Sequence, residues 1–173
     1  MTLHALPPER TDESLMLAAC SGDKASFDEL FERWRLPLYR FLQRRAGSAT
    51  AADDAFQETW LRVYRWRDRF DPKRSFRSWL FRIAANAGYD AREPVVADFH
   101  WMEPRAPDQR ASLDLMVSAL HLLDGRDRRI LLLTIEGFTS EEVAEILDLR
   151  AGAVRARLMR ARQHIREALH ARP

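Results

Sequence analysis

The strongest structural signal in this chain is TSEEVAEIL at residues 139–147, followed by AGAVRARLMRAR at residues 151–162. Thr139 and Glu142 have the spacing of a capping box, which predicts that a short helix begins at this point. Residues 148–150 form a turn that separates it from a second helix. Two short helices around a tight turn are the parts of a helix-turn-helix, a motif that places its second helix in the major groove of DNA.

The second helix combines an apolar stripe with basic flanks. The stripe recurs at helical spacing and is expected to be buried: Val154, Leu158, Ala161, Ile165 and Leu169. The basic residues fall on either side of it: Arg155, Arg162 and Arg166 on one flank, Arg157, Arg160 and His164 on the other. Such flanks suit a helix that contacts phosphates while its N-terminal tip reaches base edges. The alternative interpretation is a solvated basic face on a core helix.

Composition limits the classes to which the chain can belong. Its 173 residues suffice for one ordinary domain or two small ones. An apolar fraction of 46% with 10% aromatic residues argues against a disordered chain. The net charge is only +2, but residues 150–172 hold seven arginines and one acid, whereas residues 93–109 hold four acids and one arginine. This segregation indicates separate surfaces for separate partners.

The cysteine, the histidines and the length of the apolar runs argue against a disulfide, a metal site and a membrane span. Cys20 is the only cysteine, which excludes an intrachain disulfide and a thiolate metal cluster. The five histidines lack the i, i+4 pairing of a helical zinc site. No apolar run approaches the roughly 20 residues that a membrane span needs. We therefore expect a soluble cytoplasmic protein without metal, cofactor or membrane insertion.

The N-terminal part of the chain predicts helices and no strands. Residues 1–11 contain two prolines and are expected to form a disordered tail. Helical patterns follow at about residues 12–22 and 27–46, and Pro37 is expected to kink or restart the second of these helices. The tryptophans of this part are expected to pack in the core rather than bind a ligand: Trp34, Trp60 and Trp79.

The predicted helix at about residues 51–67 has two distinct faces. Phe56, Trp60 and Val63 form the stripe that is expected to be buried. Acidic and amide side chains cluster at i, i+4 spacing on another face: Asp53, Asp54, Gln57 and Glu58. Such a patch is either a solvated surface or a docking surface for a partner.

Ser75 is the expected N-cap of a further helix that extends to about residue 92. One side of this helix is apolar and is expected to be buried: Phe76, Trp79, Leu80, Ile83 and Ala87. The other side carries small and polar residues: Ser78, Arg82, Ala85, Asn86 and Tyr89.

Residues 93–111 contain three prolines and no periodicity, which predicts a flexible linker. Helical periodicity resumes at about residues 115–123 and 126–135, before the helix-turn-helix. The predicted fold is therefore all-α, with two small helical domains joined by the linker. The N-terminal helical bundle spans residues 12–92, and the C-terminal helix-turn-helix domain spans residues 112–173.

Three segments in this order resemble a bacterial RNA polymerase sigma factor of the extracytoplasmic-function (ECF) group, the compact kind that has only the second and fourth conserved regions. ADDAFQETWLRV at residues 52–63 resembles the polymerase-binding helix of the family. SFRSWLFRIAAN at residues 75–86 resembles its promoter-melting segment, and residues 152–162 resemble its recognition helix. The resemblance covers about residues 15–169.

This resemblance implies a specificity subunit that binds core RNA polymerase, recognises a promoter and helps to open it. It places region 2 at residues 12–92 and region 4 at residues 112–173. The residues expected to dock on the clamp coiled coil of the largest polymerase subunit are Asp53, Asp54, Gln57 and Glu58. The residues expected to hold the −10 element are Phe70, Lys73, Arg74, Ser75, Arg82, Asn86 and Tyr89. The residues expected to contact the −35 element are Arg150, Gly152, Arg155, Ala156, Arg157, Met159 and Arg160.

The resemblance also implies an anti-sigma protein as a partner and a role in a stress or envelope-signal response. A competing interpretation is a helix-turn-helix regulator whose N-terminal domain senses a ligand or dimerises. An enzyme acting on nucleic acid is a third class, but the sequence contains no phosphate-binding glycine loop. Asp53 and Asp54 are adjacent, so they point in different directions on a helix rather than toward one metal ion. No catalytic residue is expected.

Overall fold

A computed structural model of the chain describes residues 10–46, 48–87, 120 and 123–170. Within these residues the secondary structure is helical and includes no strand. This confirms the all-α fold class. The N-terminal helices are α1 (Asp12–Cys20), α2 (Lys24–Arg45), α3 (Ala49–Arg65), a short 3-10 turn (Arg67–Arg69) and α4 (Phe76–Asn86). The C-terminal helices are α5 (Gly125–Ile135), α6 (Ser140–Leu147) and α7 (Ala151–His170).

Six of these helices begin at a polar residue whose side chain accepts a backbone N–H three positions later. These N-caps are Thr11, Asp23, Ser48, Ser75, Asp124 and Thr139. Each satisfies a donor that the first helical turn would otherwise leave unpaired. The predicted caps Ser75 and Thr139 are confirmed, and Thr139 forms the full capping box with Glu142.

Of the two alternatives at Pro37, a kink or a restart, the restart is excluded, because α2 continues through Pro37 to Arg45. Proline removes one hydrogen bond from a helix interior and crowds the preceding turn. The turns that follow bury Leu38, Phe41 and Leu42 almost completely. We infer that this burial holds the helix on its path despite the lost hydrogen bond.

The N-terminal helices enclose an aromatic core. The rings of Phe41 and Phe81 are 5.1 Å apart, and those of Phe31 and Trp60 are 5.0 Å apart. Trp60 is 7% exposed, while Trp34 and Trp79 are partly buried against the same core. The three tryptophans therefore pack in the core, as predicted.

The small and polar side of α4 is narrower than predicted. Ser78 is half-buried, Arg82 and Asn86 are exposed, but Ala85 is fully buried. The reason is that α4 contacts α1, α2, α3 and α6, so it buries more than the one apolar stripe that the sequence shows.

The C-terminal helices form the predicted helix-turn-helix. Gly137 precedes α6 with a φ of 86°, and Asp148 ends α6 with a φ of 55°, so both occupy the left-handed region. Val154, Leu158 and Ala161 of α7 are buried as expected. Ile165 is half-buried, and the side chain of Leu169 lies outside the described residues.

The two sets of helices also pack on each other. Helix α4 contacts α6, and α2 contacts α5, so one continuous hydrophobic core joins them. Ile146 of α6 is 1% exposed, although the helix-turn-helix pattern alone does not require its burial. The burial of Ile146 therefore results from the packing of the two halves on each other.

Several predicted segments lie outside the described residues. These are the tail up to residue 9, the extension of α4 beyond residue 87, the linker at residues 93–111 and most of the helix at residues 115–123. From that last segment, Leu120 and Leu123 are described, and both are buried.

Replacing Thr139 with alanine tests the capping box. The Thr139 Oγ1 accepts the Glu142 N–H at 3.2 Å, and the Glu142 carboxylate accepts the Thr139 N–H at 2.7 Å. We expect Thr139→Ala to lower the free energy of unfolding by about 1 kcal/mol, measured by urea denaturation. Thr139→Ser keeps the oxygen and should retain most of that stability. Equal losses in both variants would contradict the cap as the cause.

Candidate nucleic-acid and protein interfaces

The acidic residues of α3 form an exposed surface, called here the acidic face: Asp53, Asp54, Gln57 and Glu58. The first three are exposed and Glu58 is half-buried. Asp53 accepts a hydrogen bond from the Tyr39 hydroxyl at 2.6 Å, and this bond raises the pKa of Tyr39. Glu58 accepts from Arg62 at 2.6 Å. The structure thus brings the four predicted residues onto one helix surface.

Sequence reasoning missed two apolar residues next to the acidic face. The side chains of Leu61 and Tyr64 are 50% and 53% exposed, although both are large and apolar. They continue the spacing of Gln57 along α3, and this spacing is the sequence signal that could have identified them. Exposed apolar side chains inside a charged rim are typical of a protein-binding surface.

The loop before α4 and the exposed side of that helix form a second surface, called here the strand surface: Lys73, Arg74, Ser75, Arg82 and Asn86. All five are exposed. Ser75 uses its hydroxyl as the N-cap of α4, which fixes the loop to the helix. Three cations next to a hydroxyl and an amide can bind a phosphate backbone and the edge of an unpaired base.

Of the two remaining residues predicted for this surface, one is buried and the other is not described. Phe70 is only 8% exposed, and its ring packs against those of Phe76 and Trp79 at 6.0 and 5.4 Å. It is therefore a core residue beneath the loop, and its contacts with Phe76 and Trp79 anchor the loop to α4. Tyr89 lies outside the described residues.

Helix α6 covers part of the strand surface. Arg74 donates to Glu145 of α6 at 2.9 Å. A small cavity of about 20 Å³ remains between the two helices, lined by Arg74, Ser75, Ser78, Trp79, Arg82, Glu145 and Ile146. That volume is enough for about one water molecule and far too small for a nucleobase.

The third surface is the solvent side of α7, called here the recognition face. Arg150, Gly152, Arg155, Met159 and Arg160 are exposed, and Ala156 is half-buried. Met159 is the most exposed large apolar residue among those described, at 68%. Arg155 is held by Glu141 of α6 at 2.6 Å.

Arg157 differs from its predicted neighbours. Its guanidinium donates to Asp127 of α5 at 2.7 Å and lies 3.9 Å from Asp124, and it is 26% exposed. The bond to Asp127 raises the pKa of Arg157. Arg157 therefore ties α7 to α5 and does not extend into solvent with Arg160. Its partners are about 30 residues away in sequence, so the helix periodicity could not reveal them.

No metal-binding geometry emerges from the described part of the chain. Within it, histidine, cysteine and carboxylate side chains nowhere gather in threes around a point that could hold a metal ion. None of the helices resolved there has the length and apolar character to cross a membrane.

Comparison with known proteins matches two separate segments of the chain to family models. Residues 30–93 match the family Sigma-70 region 2, and residues 113–165 match Sigma-70, region 4. The chain is 31% identical to the RNA polymerase sigma factor CnrH of Cupriavidus metallidurans, over 95% of this chain and 97% of that relative. It is 30% identical to the ECF RNA polymerase sigma factor SigM of Mycobacterium tuberculosis, over 93% and 86% of the two chains.

Solved structures agree with these matches. The structure of CnrH in complex with the cytosolic domain of CnrY has a TM-score of 0.74 and 31% identity, and covers 94% of this chain and 99% of that one. The sigma factor RpoE of Bartonella quintana, solved with the anti-sigma factor NepR, has a TM-score of 0.62 at 18% identity over 85% and 98% of the two chains. This second likeness concerns the fold alone.

A region 2 followed by a region 4 on an all-α chain defines a sigma factor of the sigma-70 type. The relatives narrow the class, and the chain belongs to the ECF family of RNA polymerase sigma factors. It is thus a transcription initiation factor that directs RNA polymerase to promoters. The relatives favour this interpretation and give no support to a ligand-sensing helix-turn-helix regulator.

Arg157→Ala and Arg160→Ala are expected to separate a structural arginine from a DNA-binding one. Arg157→Ala removes the bond to Asp127, so we expect the midpoint of thermal unfolding to fall by about 2–4 °C. Arg160→Ala should leave that midpoint unchanged and weaken promoter binding by the polymerase holoenzyme about tenfold. If Arg157→Ala lost DNA affinity without losing thermal stability, Arg157 would instead be a DNA-binding residue of the recognition face.

Proposed function

We propose that this sigma factor uses the acidic face to dock on core polymerase, the strand surface to hold the −10 element and the recognition face to read the −35 element. The domains that carry these surfaces are region 2 at residues 12–92 and region 4 at residues 112–173, joined by the linker at residues 93–111. The observation that carries the proposal is the exposed acidic and apolar surface of α3, which lies inside the region 2 match.

The acidic face fits a basic partner with an apolar contact at its centre. Asp54, Gln57 and Leu61 are exposed on the same side of α3 and have no role in the core. We assign the clamp coiled coil of the largest polymerase subunit to this face, following the resemblance of residues 52–63 to the polymerase-binding helix of the family. Carboxylates steer the approach, and burial of Leu61 and Tyr64 supplies affinity.

The strand surface fits a single strand of DNA. Lys73, Arg74 and Arg82 supply exposed positive charge, and the exposed Asn86 supplies an amide that can pair with a base edge. A base that leaves the duplex needs hydrogen bonding and a wall to stack on. Among the described residues, Trp79 has the ring best placed to serve as that wall, because it lies half-buried beside Arg82.

The recognition face fits the major groove. Arg155 and Arg160 flank Ala156 and Met159, so charge borders a small and apolar centre. Arginine pairs with guanine or with phosphates, while a methionine or alanine side chain contacts the methyl group of thymine. This arrangement supports a −35 element that includes both G·C and A·T base pairs.

We further propose that an anti-sigma protein controls this factor in a stress or envelope-signal response in the cytoplasm. Support comes from two similar proteins, since CnrH was solved with the cytosolic domain of CnrY and RpoE with the anti-sigma factor NepR. Sigma factors are initiation factors rather than enzymes, and we propose that this chain has no catalytic activity of its own.

Run-off transcription on fragmented genomic DNA of the source bacterium tests the proposal as a whole. Purified core polymerase is used with and without this protein. New discrete start sites that share two upstream elements are expected. Absence of new starts, from protein shown to be folded, would overturn the proposal.

Asp54→Ala combined with Glu58→Ala tests the acidic face. The double variant removes two carboxylates from α3, and we expect the dissociation constant for core polymerase to rise about tenfold because interfacial charge pairs are lost. Surface plasmon resonance with immobilised core polymerase measures this change. Asp28→Ala with Glu32→Ala is the matched control, because it removes the same charge from exposed positions on α2. Similar affinities for both double variants would show that the acidic face is merely solvated.

A further inference from the structure

The first turn of α1 makes a contact with α4 next to the strand surface. Helix α1 contributes to none of the three surfaces, and it precedes residues 30–93, which match region 2. The Glu13 carboxylate accepts the backbone N–H of Phe76 at 2.9 Å. Phe76 is the first residue of α4 and directly follows Ser75, so this bond joins α1 to the end of the loop that carries part of the strand surface.

The bond to Glu13 satisfies a backbone donor that has no acceptor within its own helix, as is true of the first four N–H groups of any helix. In α4 the Ser75 hydroxyl accepts the Ser78 N–H, and Glu13 accepts the Phe76 N–H from a segment 63 residues away. A carboxylate at a helix N-terminus also interacts favourably with the partial positive charge of that end. Glu13 is thus a second cap of α4, supplied by another helix.

The packing of α1 holds the Glu13 carboxylate in place. Leu15 and Met16, which follow in the same helix, are both 0% exposed. Asp12, which precedes Glu13, accepts a hydrogen bond from the indole N–H of Trp34 in α2 at 2.8 Å. Glu13 itself is half-buried. The first turn of α1 is therefore fixed on α2 and presents Glu13 to α4.

The loop between Phe70 and α4 is fixed at both ends. Phe70 is buried beneath its start. The Asp71 side chain accepts the Lys73 N–H at 3.0 Å, and the Asp71 carbonyl oxygen accepts the Arg74 N–H at 2.9 Å, so the loop forms a tight turn. The bond to Glu13 fixes the other end. Two cations of the strand surface, Lys73 and Arg74, lie between these anchors.

We propose that Glu13 is a positioning residue for the −10 element: it does not touch DNA, but it holds the loop so that Lys73 and Arg74 are arranged before the strand binds. This inference rests on the proposed assignment of the strand surface. A loop that is ordered in advance loses less conformational entropy on binding, so its affinity for the strand is higher. Loss of the carboxylate therefore weakens strand binding without removing any contact to DNA.

Glu13→Ala tests the inference. The probe is a single-stranded oligonucleotide of the non-template strand across the −10 element of a promoter mapped by run-off transcription, and its binding to the polymerase holoenzyme is measured by fluorescence anisotropy. We expect the dissociation constant to rise roughly tenfold, because the Phe76 N–H loses a charged acceptor and the loop loses an anchor. Removal of a negative charge near Lys73 and Arg74 would by itself strengthen DNA binding, so a weaker affinity reports positioning.

Three further variants isolate the hydrogen bond. Glu13→Gln keeps an oxygen that accepts the Phe76 N–H and should retain most of the affinity. Glu13→Asp keeps the charge but withdraws the carboxylate by one methylene, so it should weaken binding as alanine does. Glu32→Ala removes the same charge from α2, where that side chain is 64% exposed, and should change nothing. The affinity for core polymerase should be equal in all variants, and circular dichroism confirms that each is folded.

Equal strand affinities of the folded Glu13→Ala and Glu13→Asp proteins and the parent would overturn the inference. An equal loss in Glu13→Gln would rule out the hydrogen bond as its cause. Failure of the proposed function would look different. Either no promoter would be mapped, or Lys73→Ala combined with Arg82→Ala would bind the oligonucleotide as tightly as the parent, and the assignment of the strand surface would then fall together with the inference.

Discussion

The buried ring of Phe81 is the contact on which both halves of this sigma factor depend. It is 1% exposed and lies 5.1 Å from the ring of Phe41 in α2 and 5.2 Å from the ring of Phe138, which precedes α6. Both pairs have the edge-to-face geometry that adds about 0.5–1.5 kcal/mol to the burial of the rings. Because Phe81 and the strand surface share α4, the helix that anchors region 4 also positions the residues assigned to promoter DNA.

The three helices to which surfaces are assigned, α3, α4 and α7, differ in how many of their sides are buried in the core. Helices α3 and α7 each bury one stripe, which includes Val63 in α3 and Val154 in α7, and leave the opposite side to solvent. Helix α4 is buried on several sides, and part of its exposed side is covered by α6. In the described part of the chain, the acidic face and the recognition face are therefore free of contacts between the halves, whereas part of the strand surface lies against region 4.

Features that depend on neighbours in sequence could be predicted from the sequence. The N-caps Ser75 and Thr139 and the buried stripe from Val154 to Ala161 each need only a local pattern, and the structure confirms them. The acidic face likewise follows from i, i+4 spacing along one helix.

Features that depend on distant segments could not be predicted. Phe70 is buried by residues of the next helix, Ala85 by helices that surround α4, and Arg157 is bound by Asp127. A pattern read along one helix gives the direction of a side chain but not the partner that it meets. The burial of Ile146 has the same cause, since only the packing of α6 on α4 requires it.

Glu136 is a largely buried carboxyl group at the contact between the two halves, where it pairs with Arg44. Burial raises the pKa of its carboxyl group, and the positive charges of Arg44, Arg77 and Arg40 offset that effect only in part. A group whose pKa is raised by burial stabilises the packed arrangement most when it is protonated, and this contribution is lost as the pH rises through the raised pKa. Near neutral pH the contact between the halves therefore holds a carboxylate that water would solvate better. The buried ion pair fixes the register of the two halves at little net gain in stability.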